Sequence, residues 1–592
     1  MHARSLLMFA LYVAATGAAT PATAPPGTMA RSTAASDAVL HSAAPDAAAI
    51  ESALTEAARH PLAGRPVANE AALVRSLYER RAMQPLWSRP GGLTAQAQAL
   101  VTLVGAADRD GLDPADYAAA RIAAARDRLT SDFAATGDAT AAATLQAQFD
   151  AMLTVAAVRL VTHLHYGRVD PRAAGFEIKE PRTDLDVAAA VVGLSTAPRT
   201  SDALGAVEPT FYHYGLLKQA LARYRVLQSD AELTHLPPIG RRPLHAGDAY
   251  EGAAALQRLL TALGDLPAAA APAGAPPAAP PAAPLTAQPA VLDAALVEGL
   301  KHFEERHGLA TDGTLGAAVF AELTTPLTQR TRQIELTLER WRWLPAFDRP
   351  PIIVNIPQFD LFAFEGTADR AAAIMTMKVI VGKAYPQTET PVFSGELRYV
   401  IFRPYWDVPR SILLREMLPA IHRDAGYVER NHLEIVAGER ETDAVLAPSP
   451  DSIAALAAGR ARVRQRPGED NALGLIKFLF PNTHDVYLHS TPAHQLFAQS
   501  RRAFSHGCIR VSDPVALARY VLRKAPGVWD DAHILAALNG PDNVRVTLSN
   551  TIPVMILYGT VQATEAGPIQ FFDDIYRHDA RLAELLAKGR SP

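Results

Sequence analysis

The sequence of 592 residues contains a single cysteine, Cys508. One thiol excludes an intramolecular disulfide framework, a cysteine-rich zinc module and an iron–sulfur cluster. An excess of one charge is also missing, because 57 Lys and Arg residues oppose 61 Asp and Glu residues and no basic block stands out. This balance argues against a nucleic-acid partner. Gly and Pro, at 36 and 45 residues, are too few for a collagen-like or wholly disordered chain.

Several common catalytic motifs are absent. No Ser-x-x-Lys occurs, which excludes an active-serine penicillin-binding enzyme, and no His-Glu-x-x-His occurs, which removes the common zinc peptidases. No Gly-rich phosphate loop ending in Gly-Lys-Ser or Gly-Lys-Thr is present. His163 and His165 lie two positions apart and would not share a helix face, so they form a poor metal pair. We therefore expect neither a metal nor a cofactor.

Long hydrophobic runs are rare. Residues 5–19 form an apolar stretch after a basic start, and the Ala-Thr-Ala of residues 22–24 fits a cleavage site with small flanking residues. This pattern predicts a secretory signal peptide over residues 1–24, with an uncleaved N-terminal anchor as the alternative. No other segment reaches about 18 apolar residues without proline, so we expect an exported mature chain with no membrane span.

The N-terminal half of the sequence is dominated by helical patterns. Residues 25–64 are rich in Ala, Pro, Ser and Thr and are predicted to be a disordered spacer. Helical periodicity then predicts a mostly α scaffold domain over residues 65–240. A small α module follows over residues 243–326, and a Pro/Ala-rich insert at 267–289 interrupts it.

Periodicity changes after Trp343, where short β-branched and aromatic runs begin. The runs cover residues 351–356, 359–364, 373–381, 397–402, 486–488, 544–548 and 553–558. They predict a β-rich domain over residues 330–580, with a helical lid insertion at about 411–480 and a C-terminal tail at 581–592. The predicted fold class is therefore multidomain α+β.

The single cysteine lies in a segment that favours nucleophilic chemistry, Ser505-His506-Gly507-Cys508-Ile509-Arg510. A thiol needs a base or a cation to populate its thiolate, because free cysteine has a pKa near 8.5. His489, at the end of a predicted strand, can supply both once a third group orients its ring. The N–H groups of Gly507 and Cys508 are candidates to face a developing oxyanion.

These residues resemble a known family. His489, followed by fifteen residues and then the Ser505–Arg510 segment, is similar to the signature of the YkuD-type L,D-transpeptidases. Segments 382 with 390–391 and 405–409 with 412 resemble strand-edge motifs of the same catalytic domain, and segments 84–87, 110–117 and 341–345 resemble the large YcbB-like branch of that family. Residues 255–260, 300–309 and 312–316 resemble a peptidoglycan-binding helical module, with a generic helix pair that ends at a glycine as the alternative.

The resemblance implies an activity on the bacterial cell wall. Cys508 would attack the bond between an L-centre and D-Ala in a stem tetrapeptide and release D-Ala, and an amine would resolve the acyl-enzyme to give a 3-3 cross-link. His489 matches the family's base, and the carbonyl of Ser490 its orienting group. The implied partners are stem peptides, glycan strands and other wall-synthesis enzymes, in the periplasm.

Several roles stay open. His506 is expected either to hold the site through hydrogen bonds or to act in catalysis. Arg510 is expected either to pair with Asp513, which is predicted to cap the next helix, or to steer substrate carboxylates. Ser505, Tyr487 and Trp406 are expected to contact substrate, with core packing as the alternative for the two aromatic residues.

The activity has alternatives too. Water instead of an amine would make the same site an L,D-carboxypeptidase or another hydrolase, and a protein amine would attach that protein to the wall. The third alternative is a non-enzymatic protein that binds the cell wall, but an intact pair of His489 and Cys508 argues against it.

Overall fold

The computed structural model describes residues 45–59, 68–90, 92–132, 139–178, 184–267, 290–366, 373–384, 388–424, 426–438, 440, 442–525, 527–565 and 567–588. The predicted signal peptide, most of the predicted spacer and nearly all of the insert at 267–289 lie outside these ranges. The predicted fold class is confirmed, because a helical N-terminal region precedes a β-rich C-terminal region.

The N-terminal region contains twelve helices among the described residues. They are α1 (Ala47–Arg59), α2 (Ala68–Arg80), α3 (Ala95–Gly105), α4 (Ala119–Asp132), α5 (Ala139–Tyr166), α6 (Val187–Thr196), α7 (Thr200–Gly205), α8 (Tyr212–Leu227), α9 (Ala253–Leu263), α10 (Ala294–Arg306), α11 (Ala317–Leu323) and α12 (Leu327–Trp341). A two-stranded hairpin, β1 (Ser88–Arg89) with β2 (Gly92–Leu93), and two 3-10 turns, Ala107–Asp110 and Pro114–Tyr117, complete this region.

The C-terminal region contains the remaining strands and seven further helices. The strands are β3 (Ile352–Asn355), β4 (Asp360–Phe364), β5 (Ala373–Gly382), β6 (Phe393–Phe402), β7 (Trp406–Asp407), β8 (Leu433–Ala437), β9 (Val445–Leu446), β10 (Ala461–Gln465), β11 (Ile476–Leu479), β12 (Leu488–His489), β13 (Ala503–Ser505), β14 (Ile509–Val511), β15 (Val544–Leu557), β16 (Val561–Ala563) and β17 (Ile569–Phe571). The helices are α13 (Arg410–Ile412), α14 (Leu418–Arg423), α15 (Tyr427–Arg430), α16 (Pro450–Ala457), α17 (Pro514–Leu522), α18 (Asp531–Asn539) and α19 (His578–Ala587), with a π-helical turn at Leu413–Met417 and a 3-10 turn at His494–Ala498.

Helix α1 corrects the predicted spacer. Ile50, Ala53 and Leu54 are buried in the scaffold core, and α1 packs against α5. Their spacing of three and four residues puts them on one helix face. The alanine-rich composition concealed this face, because alanine suits both a helix and a low-complexity segment. The expectation of disorder over residues 25–64 is therefore wrong for residues 47–59.

A buried carboxylate organises the scaffold core. Asp150 of α5 accepts hydrogen bonds from the Tyr78 hydroxyl at 2.6 Å, the Leu86 and Trp87 N–H groups at 2.8 Å each, and the Ser88 hydroxyl at 2.9 Å. A buried carboxylate is costly unless its oxygens are paired. These four donors satisfy Asp150 and attach the segment before β1 to α5.

The small α module does not end at residue 326. Its core contains residues of α9, α10 and α11, but also of α8, α12 and the β16–β17 hairpin from near the C-terminus. The Phe571 ring packs 5.3 Å from Tyr224 and lies under the Arg330 guanidinium at 4.7 Å. Arg306 donates to the Ile569 carbonyl at 2.6 Å. Two distant parts of the sequence therefore share one core.

Helix α12 carries three buried ionic side chains at its C-terminal end. Glu339 accepts hydrogen bonds from the N–H groups of Arg168 and Val169 and from the Arg342 guanidinium, the last at 2.9 Å. Arg342 also donates to the Tyr214 hydroxyl at 3.2 Å. The third, Arg340, pairs with Asp579 at 2.5 Å. These contacts connect α12 to the scaffold, to α8 and to α19.

The C-terminal region is built on one large sheet with the order β13-β5-β14-β12-β11-β6-β15-β3-β4. Strand β4 also pairs with β5, so eight strands close into a ring to which β13 is attached. All seven predicted strand runs overlap observed strands. The last two form one strand, β15, whose register against β6 shifts between Thr547 and Ile552.

The insertion at about 411–480 is not only helical. It shares a four-stranded sheet, β7-β10-β8-β9, with β7 before it, and with α13 to α16 this sheet has its own hydrophobic core. The predicted bounds are wrong at both ends, because β7 at Trp406–Asp407 belongs to this sheet and β11 at Ile476–Leu479 belongs to the large sheet. Leu433, Ile435 and Val463 bury their side chains in that core, while Glu434 and Arg464 alternate with them and pair at 2.7 Å. Strands of two to five residues are hard to distinguish from polar loop in the sequence, because they contain too few positions to show a period.

The predicted C-terminal tail is wrong for residues 581–587. These residues belong to α19, and Leu582 and Leu586 are buried in the core of the large sheet. Their spacing of four residues is a weak helical signal because only ten residues carry it.

The ionic contacts of α12 make a testable prediction. Replacing Glu339 with Ala leaves the fully buried Arg342 guanidinium without its carboxylate partner. Breaking a buried pair from one side costs about 3–5 kcal/mol, so we expect a clear drop in the unfolding midpoint in urea. Glu298→Ala is the matched control, because its pair with Lys301 is exposed and such pairs contribute at most about 1 kcal/mol. Equal midpoints for the two variants would contradict this role of α12.

Candidate active site

The two halves of the cysteine–histidine motif meet through parallel strands. In β12 and β14, Leu488 pairs with Ile509 and His489 pairs with Arg510. The Ile509 N–H donates to the Tyr487 carbonyl at 3.1 Å. Leu488 and Ile509 point into the core of the large sheet, so His489 and Arg510 lie on its opposite face.

The turn before β14 is held by a buried hydroxyl. The Ser505 side chain donates to the Cys508 carbonyl at 2.6 Å and accepts from the Gly507 N–H at 3.1 Å. Gly507 has a φ of 119°, which side-chain-bearing residues rarely adopt. The Thr390 hydroxyl donates to the Gly507 carbonyl at 2.8 Å. The cysteine is therefore presented by a turn with a defined geometry.

Thr390 belongs to a buried network that joins this turn to the rest of the domain. Its hydroxyl accepts from the Gly382 N–H at 2.8 Å, and its own N–H donates to the Tyr576 hydroxyl at 3.2 Å. That hydroxyl donates to the Gly382 carbonyl at 2.6 Å. A Cβ at Gly382 would lie 2.0 Å from the Thr388 carbonyl oxygen, so only glycine fits there.

His489 is buried, and its tautomer follows from its partner. Its Nδ1 lies 2.5 Å from the Ser490 carbonyl oxygen, which can only accept a hydrogen bond. Nδ1 therefore carries the proton, and Nε2 keeps a lone pair. Burial lowers the pKa of His489 to about 3, and the cations Arg510 and Lys477 act in the same direction.

Cys508 is half-buried, and its thiol donates to the Asp485 carbonyl at 3.6 Å. Burial raises the pKa of the Cys508 thiol above its usual value, although hydrogen bonds from Tyr487 and the Lys477 charge act in the opposite direction. A raised pKa of the Cys508 thiol and a lowered pKa of the His489 imidazole both favour the uncharged forms of the two groups. We therefore expect a thiol and a neutral imidazole in the resting site.

The two candidate oxyanion donors, the N–H groups of Gly507 and Cys508, differ in whether they already donate a hydrogen bond. The Gly507 N–H is used by Ser505, whereas the Cys508 N–H has no acceptor among the described residues. Ser505 is 2% exposed, so a direct contact between its hydroxyl and a substrate would require the turn to open.

The other predicted site residues lie in three different environments. Tyr487 is buried with its ring 5.7 Å from that of His489, and a hydrogen bond from Tyr487 lowers the pKa of Cys508. His506 is exposed and contacts Glu416 of the insertion, with 2.9 Å between Nε2 and Oε1. Trp406 packs against the core of the insertion, so its observed packing is structural.

Arg510 does not pair with Asp513. The Asp513 side chain accepts the Ala516 N–H at 2.9 Å and caps α17, as the sequence predicts. The Nε of Arg510 is buried and has no hydrogen-bond partner among the described residues. Of the two roles expected for Arg510, its position is compatible with contact to a substrate carboxylate.

Sequence reasoning missed Lys477, Asp485 and Glu416. Lys477 lies opposite His489 in the register of β11 and β12, and its ammonium is 3.9 Å from the centre of the Tyr487 ring. The alternation Ile476-Lys477-Phe478, with apolar residues on either side of a lysine, could have placed Lys477 on the outer face of a strand. The other two are positioned by loops and by the insertion, which carry no comparable local pattern.

The described residues were also compared with the requirements of a metal site and of a membrane-spanning helix. No group of three or more His, Cys, Asp or Glu side chains in this part of the chain is arranged to hold a metal ion. None of its helices is both long and apolar enough to cross a bilayer.

The protonation state of the pair can be tested with a small alkylating agent. We expect iodoacetamide to modify Cys508 slowly in mildly acidic and neutral buffer and progressively faster in alkaline buffer, because burial raises the pKa of the thiol. The measurement is the alkylation rate against pH by intact mass, with glutathione as the reference thiol. A rate plateau across the acidic and neutral range would indicate a thiolate–imidazolium pair and contradict this expectation.

Comparisons with known proteins agree with the resemblance stated above. Residues 350–531 match the family model of the L,D-transpeptidase catalytic domain, and residues 72–221 match that of a scaffold domain. A Haemophilus influenzae protein, provisionally named as an L,D-transpeptidase, is 30% identical over 257 residues. The match covers 43% of this chain and 50% of that relative, so it spans about half the length of each. The chain therefore carries a YkuD-type L,D-transpeptidase catalytic domain together with a scaffold domain.

Proposed function

We propose that this protein cross-links peptidoglycan by a cysteine acyl-enzyme mechanism, taking a stem tetrapeptide as donor and forming 3-3 cross-links. The observation that carries the proposal is the position of the single thiol of the chain. It lies on the turn before β14 and is hydrogen-bonded by Tyr487, whose ring is 5.7 Å from that of His489, the buried histidine with Nδ1 on the Ser490 carbonyl. An exported, wall-associated location belongs to the same proposal.

The first step is acylation of Cys508. The thiol attacks the carbonyl between the L-centre of the third residue and D-Ala, and His489 Nε2 takes the thiol proton. The developing oxyanion faces the Cys508 N–H, with the Gly507 N–H available once it leaves Ser505. His489 then gives its proton to the departing nitrogen, the carbon–nitrogen bond breaks, and D-Ala leaves with a neutral amine.

The second step transfers the acyl group. The side-chain amine of a second stem attacks the thioester, His489 removes its extra proton, and the carbon–sulfur bond breaks. Proton return from His489 regenerates the thiol. Since Nδ1 of His489 remains hydrogen-bonded to Ser490, the same Nε2 can serve as base and acid in both steps.

Water and an amine compete for the acyl-enzyme. We propose that the insertion acts as a lid that limits access of water, because its π-helical turn reaches the catalytic turn through Glu416 and His506. In this proposal the same site acts as a hydrolase when the lid is displaced and water reaches the acyl-enzyme. His506 therefore acts as an anchor for the lid.

The acyl-enzyme is the most direct test of the proposed function. We expect a purified disaccharide-tetrapeptide to add to Cys508 with release of one D-Ala per event, detected by intact mass and by analysis of soluble products. Cys508→Ala should form no adduct, because no other thiol is present. His489→Ala should lose at least about 100-fold in rate, the usual contribution of a positioned base. His494→Ala, a change to an exposed histidine of the same segment, is the matched control.

The products separate the possible activities. A dimer joined between third residues supports transpeptidation, and tripeptide alone supports a hydrolase. The absence of both an adduct and D-Ala release with the wild-type protein would overturn the proposed function.

The lid makes a separate prediction. Glu416→Gln weakens the contact with His506, so we expect the ratio of hydrolysis to amine transfer to rise because water reaches the thioester more easily. Glu429→Gln is the control, since it neutralises another exposed glutamate of the insertion, which pairs with Arg466. The ratio of tripeptide to dimer is the readout, and an unchanged ratio in Glu416→Gln would mean that this contact does not control water access.

A further inference from the structure

A row of basic side chains crosses the face of the sheet that carries His489. The register pairs Arg510 with His489, His489 with Lys477, and Lys477 with Ile401. Ile401 in turn pairs with Arg545. Directly paired residues in neighbouring strands point to the same face. His489 therefore lies between two cations, and each is one strand away, at about 5 Å.

The two cations that flank His489 lack a carboxylate partner. Among the described residues, no Asp or Glu oxygen lies within ion-pair distance of Lys477 or Arg510. The carboxylates that influence the pKa of Lys477 are Asp407 and Asp485. Asp407 is itself paired with Arg462 of the insertion.

Both cations, Lys477 and Arg510, are partly buried. Lys477 is half-buried against the Tyr487 ring, and burial lowers its pKa. Arg510 is half-buried as well, and its Nε has no acceptor in the described part of the chain. Cys508 is the ionisable group that interacts with both cations, but its thiol is mostly protonated, so two partly desolvated cations without a carboxylate partner are unfavourable in the free protein. They become favourable when an anionic ligand binds between them.

We propose that Lys477, together with Arg510, forms a carboxylate-binding site that selects the donor peptide. The ligand is a free side-chain carboxylate on the third residue, next to the bond that Cys508 attacks, and a carboxamide at that position is discriminated against. This inference rests on the proposed function and adds the substrate class of the same site. The resemblance assigns no role to Lys477, and none follows from the motif around Cys508.

The same arrangement couples substrate binding to the base. Arg510 and Lys477 both lower the pKa of His489. A bound carboxylate offsets these two charges, so His489 becomes a better proton acceptor when the correct donor is present. A neutral carboxamide cannot supply this effect.

Two donor peptides that differ only at this group test the proposal. One tetrapeptide carries a free side-chain carboxylate on its third residue, and the other carries the carboxamide. For the wild-type protein we expect kcat/KM for D-Ala release to be at least about tenfold higher with the free acid, the ratio that one charge-assisted hydrogen bond supplies. Lys477→Met should bring this ratio close to one, and Lys477→Arg should restore part of it.

The control is a variant at a lysine outside the proposed carboxylate site. Lys524→Met removes an exposed charge at the end of α17 and should keep the wild-type ratio. A wild-type ratio near one, or an unchanged ratio in Lys477→Met, would overturn the carboxylate site while leaving transpeptidation intact. If Lys477→Met does not fold, Lys477→Gln is measured in its place.

Failure of the proposed function has a different signature. In that case the wild-type protein releases D-Ala from neither peptide. Binding of the same two peptides to Cys508→Ala, measured by calorimetry, then tests the site without turnover. Tighter binding of the free acid supports the site, and equal binding overturns it.

Discussion

The structure depends on the buried ionic contacts at the end of α12. Glu339 holds the segment after α5 through two backbone N–H groups, and its charge is balanced by Arg342. One turn of helix also directs Arg340 towards Asp579 of α19. Because these groups are buried, each loses its hydration and must find its partner at a fixed position. The orientation of the large sheet relative to the scaffold is therefore specified by charge pairing as well as by apolar packing.

A neutral resting pair suits a catalytic domain that holds the single cysteine of the chain. A thiolate is the form that reacts with oxidants and that attacks disulfides, and a buried thiol with a raised pKa is mostly protonated. The Cys508 thiol then needs to react only after a substrate has bound. The cost of this protection is a weak resting base, since burial also lowers the pKa of His489 to about 3. The Cys508 thiol can be protected at rest and reactive during turnover if a bound substrate changes the charge around His489.

Local sequence was sufficient for some features of the fold and not for others. The motif around Cys508 and the strands β3 to β6 carry strong patterns within a few residues, so they could be predicted. Helix α1 was missed because alanine hides its apolar face, and the sheet of the insertion was missed because its strands are only two to five residues long. The cation pair could not be predicted, because the position of Lys477 beside His489 depends on the register of β11. Register is set by the whole sheet and not by any one segment.

The shared core of the α module constrains how the chain is made. Helices α9, α10 and α11 leave the ribosome long before β16 and β17, yet the hairpin supplies Val561, Ile569 and Phe571 to their core. Until then the surface that Phe571 covers is exposed to solvent, with Tyr224 and Arg330 unprotected. The module therefore reaches its final packing only after the last strands of the catalytic half have been synthesised. Its maturation is a late event, and a nascent chain stopped before residue 561 would present an open apolar face to chaperones and proteases.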